Sequence, residues 1–136
     1  LITPFTPQRT RCSLPDAYQP MQWKPIADIN EVPKFSEADR QCFTEIRDVL
    51  KKHNCLDRFG IMLVHRHFDI NQDEEMLEYT DFDNRVLTIK PVKKSEINWS
   101  EVTTTNWKFT EGDEIAARAC ICARNGNGHL GYHRYT

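Results

Sequence analysis

The stretch Gly60-Ile61-Met62-Leu63-Val64-His65-Arg66-His67-Phe68 decides how this chain is drawn. Side chains alternate between the two faces of a strand. On that period Ile61, Leu63, His65 and His67 share one face, and Met62, Val64, Arg66 and Phe68 share the other. Both faces begin apolar, as expected of an interior strand, so the stretch predicts a central strand whose inward row ends in two imidazoles. Two imidazoles two residues apart on one strand face can reach a single metal ion. They also suit a proton-transferring pair near neutral pH. The plainer reading is a core strand whose end meets water, its histidines satisfied by hydrogen bonds.

Before this stretch lies a helix signal. Ser36 stands where an N-cap belongs, Glu37 and Asp39 suit the positive end of the dipole, and Pro33 sits just outside. Cys42, Phe43, Ile46, Val49 and Leu50 recur at helical spacing, Lys51 and Lys52 suit the far end, and Asn54 is the stop. The predicted helix is about 17 residues long. Residues 1–35 hold six of the seven prolines, interleaved with Phe5, Leu14, Tyr18, Met21, Trp23, Ile26 and Ile29. Proline excludes a helix or a central strand there, so an extended arm packed on a single domain of residues 36–136 is expected.

After Phe68 the pattern stays that of strands. Met76 to Tyr79 and Val86 to Ile89 flank Asp81-Phe82-Asp83-Asn84, a hairpin turn. Pro91 to Ser95 interrupts the pattern. Thr103 to Thr110 and Glu114 to Arg124 are the next strands, and Asn125-Gly126-Asn127-Gly128 turns the chain into His129 to Tyr135. The expectation is an α+β fold: arm, one amphipathic helix, then a mostly antiparallel, curled sheet of five to six strands.

Composition bounds the function. The chain has 136 residues, a net charge of -2, and 39% hydrophobic residues. This fits one soluble domain. A negative balance without a basic stripe argues against nucleic acid, despite Trp107-Lys108-Phe109 and Tyr132 to Tyr135. No run approaches the ~20 apolar residues of a membrane helix. Five cysteines without a framework pattern point to a reducing, cytoplasmic setting. Leu1 is not an initiator methionine, so a processed N-terminus keeps secretion as the alternative, and only there would the Asn98-Trp99-Ser100 sequon matter. Asp69, Asn71 and Asp73 open like a calcium loop, but Glu74 and Thr80 occupy the positions that need Gly and Glu.

The candidate site residues follow from these strands. His65, His67 and His133 form a three-imidazole metal set if the last strand lies beside the first, with Glu78 or Tyr135 as added ligand or proton donor. The metal is then iron or copper in an oxygenase-like enzyme, or zinc in a hydrolytic one. Gly60, His65, His67 and Glu74 superficially resemble the first half of the cupin metal motif, but the spacings differ and the second half is missing. In Glu114 to Arg124, strict alternation puts Arg118, Cys120 and Cys122 on one face. There they form a candidate cofactor-binding cluster, with Arg118 placed to lower a thiol pKa. The plainer reading of these cysteines is core filler. The competing function is a non-catalytic module that holds a small ligand or a protein, or an assembly subunit that docks through its arm.

Overall fold

The computed structural model describes residues 18–124. They form two compact units: residues 18–24 with 69–124, and Pro25–Phe68. Pro25 to Phe35 therefore groups with the helix, and residues 18–24 group with the sheet. Both units are α+β in sum, with one α-helix and one open, four-stranded sheet among the described residues.

The sheet contains β1 (Glu74–Asp81), β2 (Val86–Lys93), β3 (Val102–Phe109) and β4 (Ala116–Ala123), in the order β2-β1-β4-β3. β1 and β2 form an antiparallel hairpin, as do β3 and β4, while β1 and β4 run parallel at the centre. Among the described residues the sheet is thus mixed and four-stranded. The expected return strand from His129 to Tyr135 and its Asn-Gly turn lie outside the described residues.

The first hairpin follows from its turn. Asp81 accepts from the backbone and side-chain amides of Asn84, and Arg85 takes the left-handed conformation at φ 56°. β2 runs on through Pro91 to Lys93, which corrects the expected interruption at Pro91. Proline is tolerated because β2 is an edge strand and the proline nitrogen faces outward.

The chain leaves β2 at one edge and enters β3 at the other. It must cross about 14 Å, three strand spacings. The connection does so over one face in two 3-10 turns, Lys94–Glu96 and Trp99–Glu101. It carries Ile97 and Trp99 onto Leu77, Tyr79, Val92, Val102 and Ile121, which form the core. Glu75, Leu77 and Tyr79 alternate with less buried residues along β1, so one face of the strand is inside. Gln19 to Met21 pairs with the early half of β4: Arg118 N–H donates to Gln19 O, and Met21 N–H to Arg118 O, both at 2.8 Å. β1 takes over that edge at Ile121 and Cys122.

In the second unit a 3-10 turn, Glu37–Asp39, leads into α1 (Arg40–Lys52). Asp39 accepts the Ser36 N–H at 2.9 Å, the return half of a capping box. The helix ends in a Schellman motif. Asn54 has φ 63°, Cys55 N–H donates to Leu50 O at 2.8 Å, and Asn54 N–H donates to Lys51 O at 3.1 Å. Both ends therefore fall close to where the sequence puts them.

Gly60–Phe68 is not a strand, and this corrects the expectation on which the sheet was drawn. Its one ladder contact is an isolated bridge between Arg66 and Asp28. Ile61, Met62 and Leu63 are each about half exposed, at 55%, 52% and 47%. Strand propensity describes fit against cross-strand neighbours, and here the neighbours that would make a sheet are missing.

Candidate functional site

Within Pro25–Phe68 the central residue of His-Arg-His acts as a clasp. Arg66 N–H donates to Ala27 O at 3.0 Å, and Ile29 N–H donates to Arg66 O at 2.9 Å. The Arg66 Nε donates to Ile26 O at 2.6 Å. Asp28 closes the opposing turn by accepting from both amides of Asn30 at 2.9 Å. The Asn30 backbone bond, aided by the charges of Arg66 and His67, holds the Asp28 carboxyl below its usual range. Strand alternation puts Arg66 only on the face opposite the histidines, with Met62, Val64 and Phe68. Its role needs the partner segment at 26–29, which nothing local in the sequence announces.

His65 and His67 do come together. Their ring centroids are 5.0 Å apart, edge to face, and His65 Nδ1 lies 2.6 Å from Leu63 O. With Nδ1 donating to that carbonyl, Nε2 is the nitrogen left to accept or to ligate. Among the described residues no group of three or more His, Cys, Asp or Glu is placed to hold one metal ion. His133 and Tyr135 lie outside the described residues, and Glu78 belongs to the other unit.

In the same unit, α1 and the chain after it enclose an apolar groove of about 210 Å³. Phe43, Ile46 and Leu50 supply one wall, and Leu56, Phe59 and Ile61 supply the other. Arg58 lies over the Phe59 ring at 4.8 Å. Not one residue of Pro25–Phe68 is buried. Of the 17 exposed large hydrophobic residues among those described, ten fall in this unit: Ile29, Phe35, Phe43, Val49, Leu56, Phe59, Ile61, Met62, Leu63 and Phe68. The helical row that periodicity finds is real: Cys42, Phe43 and Val49 are exposed, and Ile46 and Leu50 are half-buried.

In the sheet unit Arg118 does not join the cysteines. Of the two β3–β4 register shifts beside Asn106, one leaves Thr105 unmatched on β3 and the other leaves Ala119 unmatched on β4, and the one at Ala119 exchanges the face of Arg118 relative to Cys120 and Cys122. Arg118 therefore reaches Glu75, on the Leu77 face, through Nε at 3.1 Å and Nη2 at 2.7 Å. Its Nη1 donates to Tyr18 O at 2.9 Å, and its guanidinium stacks 5.2 Å from the Trp99 ring. The pair is buried, with side-chain exposures of 7% and 2%.

Cys120 and Cys122 lie on the opposite face with Glu78, which pairs with Cys122 across β1 and β4. Burial, with the charge of Glu78, pushes the Cys120 thiol up to about 11. The same two causes raise Cys122. Both thiols are protonated near neutral pH, the opposite of an activated nucleophile. A polar cleft of about 310 Å³ lies at the other end of the sheet, between Gln19 to Gln22 and the Ile70 to Glu74 turn, with Lys94 at its rim.

No helix among the described residues is long and apolar enough to cross a membrane. Comparison with known protein families, with curated proteins and with solved structures finds no match.

Proposed function

We propose that the protein is a non-catalytic binding module that holds another protein on the apolar surface of Pro25–Phe68. The observation that carries this reading is the absence of any buried residue in that unit, beside ten exposed large hydrophobic side chains. Contiguous apolar patches beyond a few hundred Å² are rare on free-standing proteins and mark interaction surfaces. A helix of 13 residues is marginal in water without a packed face, so α1 gains stability from whatever covers it. The groove between α1 and Phe59–Ile61 suits an apolar helix or loop entering as an anchor.

A photo-crosslinking amino acid at Phe43 tests this in extracts of the source cells. A specific adduct with one protein, lost in Ile46→Asp, supports the reading. Adducts confined to the chain itself refute it.

A second reading keeps the small metal-dependent enzyme. It rests on the 5.0 Å approach of His65 and His67 and on the Leu63 carbonyl that orients His65. Elemental analysis of untagged protein, alone and after incubation with iron, copper and zinc, decides it. About one equivalent, lost in His65→Ala/His67→Ala with the fold intact, supports a metal site. No bound metal under any condition ends it.

A further inference from the structure

Among the described residues β2 is a sheet edge, and its backbone geometry defines what pairs with it. Lys94 N–H donates across to Asp73 O at 2.7 Å, so even-numbered residues of this strand turn their peptide groups toward β1. The odd-numbered residues Leu87, Ile89 and Pro91 turn theirs outward. Pro91 has no N–H to offer, and Arg85 N–H is already given to Phe82 O at 3.2 Å. The edge that can pair is therefore bounded at both ends, from Val86 to Lys90, and its centre is Thr88. Along it Val86, Leu87 and Ile89 are 48%, 55% and 47% exposed. β3, the opposite edge, carries register shifts on both sides of Asn106, which twist an edge away from pairing.

We propose that β2 pairs antiparallel with β2 of a second copy, about a two-fold axis at Thr88, to give one continuous eight-stranded sheet. In this register Thr88 faces Thr88, and Leu87 of each copy faces Ile89 of the other. Leu87 and Ile89 are the two residues that hold outward N–H and C=O groups, so both cross-pairs are hydrogen-bonded pairs. Any other register leaves one of them opposite Val86, Thr88 or Lys90, whose peptide groups point the wrong way, opposite Arg85, whose N–H is already given to Phe82 O, or opposite Pro91, which lacks a donor. The charges fit the same register. Asp83 in the turn of one copy lies beside Lys93 of the second, with Asp81 and Lys94 close by, and the symmetry makes this contact twice. A self-complementary edge bounded at both ends and flanked by opposite charges fits a second copy of this chain.

The test is sedimentation equilibrium of the full chain at low salt, across concentrations up to roughly 0.5 mM, a Kd range that corresponds to weak association. The mass is expected to move between 16.0 kDa and twice that value. Ile89→Pro leaves the β1–β2 ladder intact, because the Ile89 N–H points outward, and should weaken the dimer at least about tenfold with unchanged circular dichroism. Asp83→Lys and Lys93→Asp should each weaken it, and the two changes in one chain should restore it. Ile46→Asp, in the Pro25–Phe68 groove, should leave it unaltered. A monomer at every concentration, a dimer indifferent to Ile89→Pro, or charge reversals that do not rescue each other would overturn the proposal. So would a dimer that Ile46→Asp dissolves and Ile89→Pro does not, since association would then belong to the other unit.

Discussion

Glu75→Ala is the substitution from which the sheet unit should suffer most. Glu75 is 2% exposed, and both its oxygens are engaged by Arg118 at 3.1 and 2.7 Å. Removing the carboxylate leaves a guanidinium, itself 7% exposed, without the two charge-assisted bonds that Glu75 accepts. Breaking a buried pair from one side costs about 3–5 kcal/mol, because the remaining charge stays desolvated and uncompensated. That is a large part of the ~5–15 kcal/mol that holds a domain of this size folded. With a urea slope of about 1.5 kcal/mol/M, the unfolding midpoint should fall by about 2–3 M. Tryptophan fluorescence follows it, since Trp99 lies against the pair. Arg118→Met should cost a similar amount. The double variant Glu75→Leu/Arg118→Met, with two apolar side chains replacing the pair, should regain most of the loss. A loss below about 1 kcal/mol in Glu75→Ala, or costs that simply add in the double variant, would refute the reasoning.

Leu77→Ala removes a fully buried side chain and should cost about 2–5 kcal/mol by urea denaturation, whereas Val49→Ala, at a site 54% exposed, should cost a few tenths. In the native protein at pH 7.5, the exposed Cys42 should react with a thiol reagent well before Cys120, as read by peptide mass spectrometry. The pH dependence of stability has a definite sign here. The unfolded Cys120 thiol loses its proton near its ordinary value of 9.0, and the folded one holds it to about 11. Stability is therefore whole below pH 9 and falls as pH rises from 9 toward 11, and Cys120→Ser should flatten that fall.

Much of the fold is legible where the physics is local. The caps of α1 and the Asp81–Asn84 turn depend on side chains that satisfy nearby backbone groups, and the sequence shows both. Gly60–Phe68 misleads because an apolar run states only that a segment wants cover, and not whether a strand will supply it. Arg118 misleads for a different reason: one register shift between strands exchanges its face, and register is a property of two segments. The pairing of Arg66 with residues 26–29 is likewise non-local. Of the candidate site residues, His65 and His67 lie 5.0 Å apart, while Arg118 pairs with Glu75 and not with the cysteines. The uncovered apolar surface is visible in part in the sequence, as the helical row Cys42, Phe43, Ile46, Val49 and Leu50.

Hydrogen–deuterium exchange on the purified chain tests the central claim most directly, because it reads the cover over each element without knowing the partner. With the surface of Pro25–Phe68 open, amides of Arg40–Lys52 should exchange orders of magnitude faster than those of β1 and β4, and should slow when the crosslinked partner is added. If α1 exchanges as slowly as β1 and β4 in the isolated monomer, the chain covers its own apolar face, and the binding-module account is contradicted.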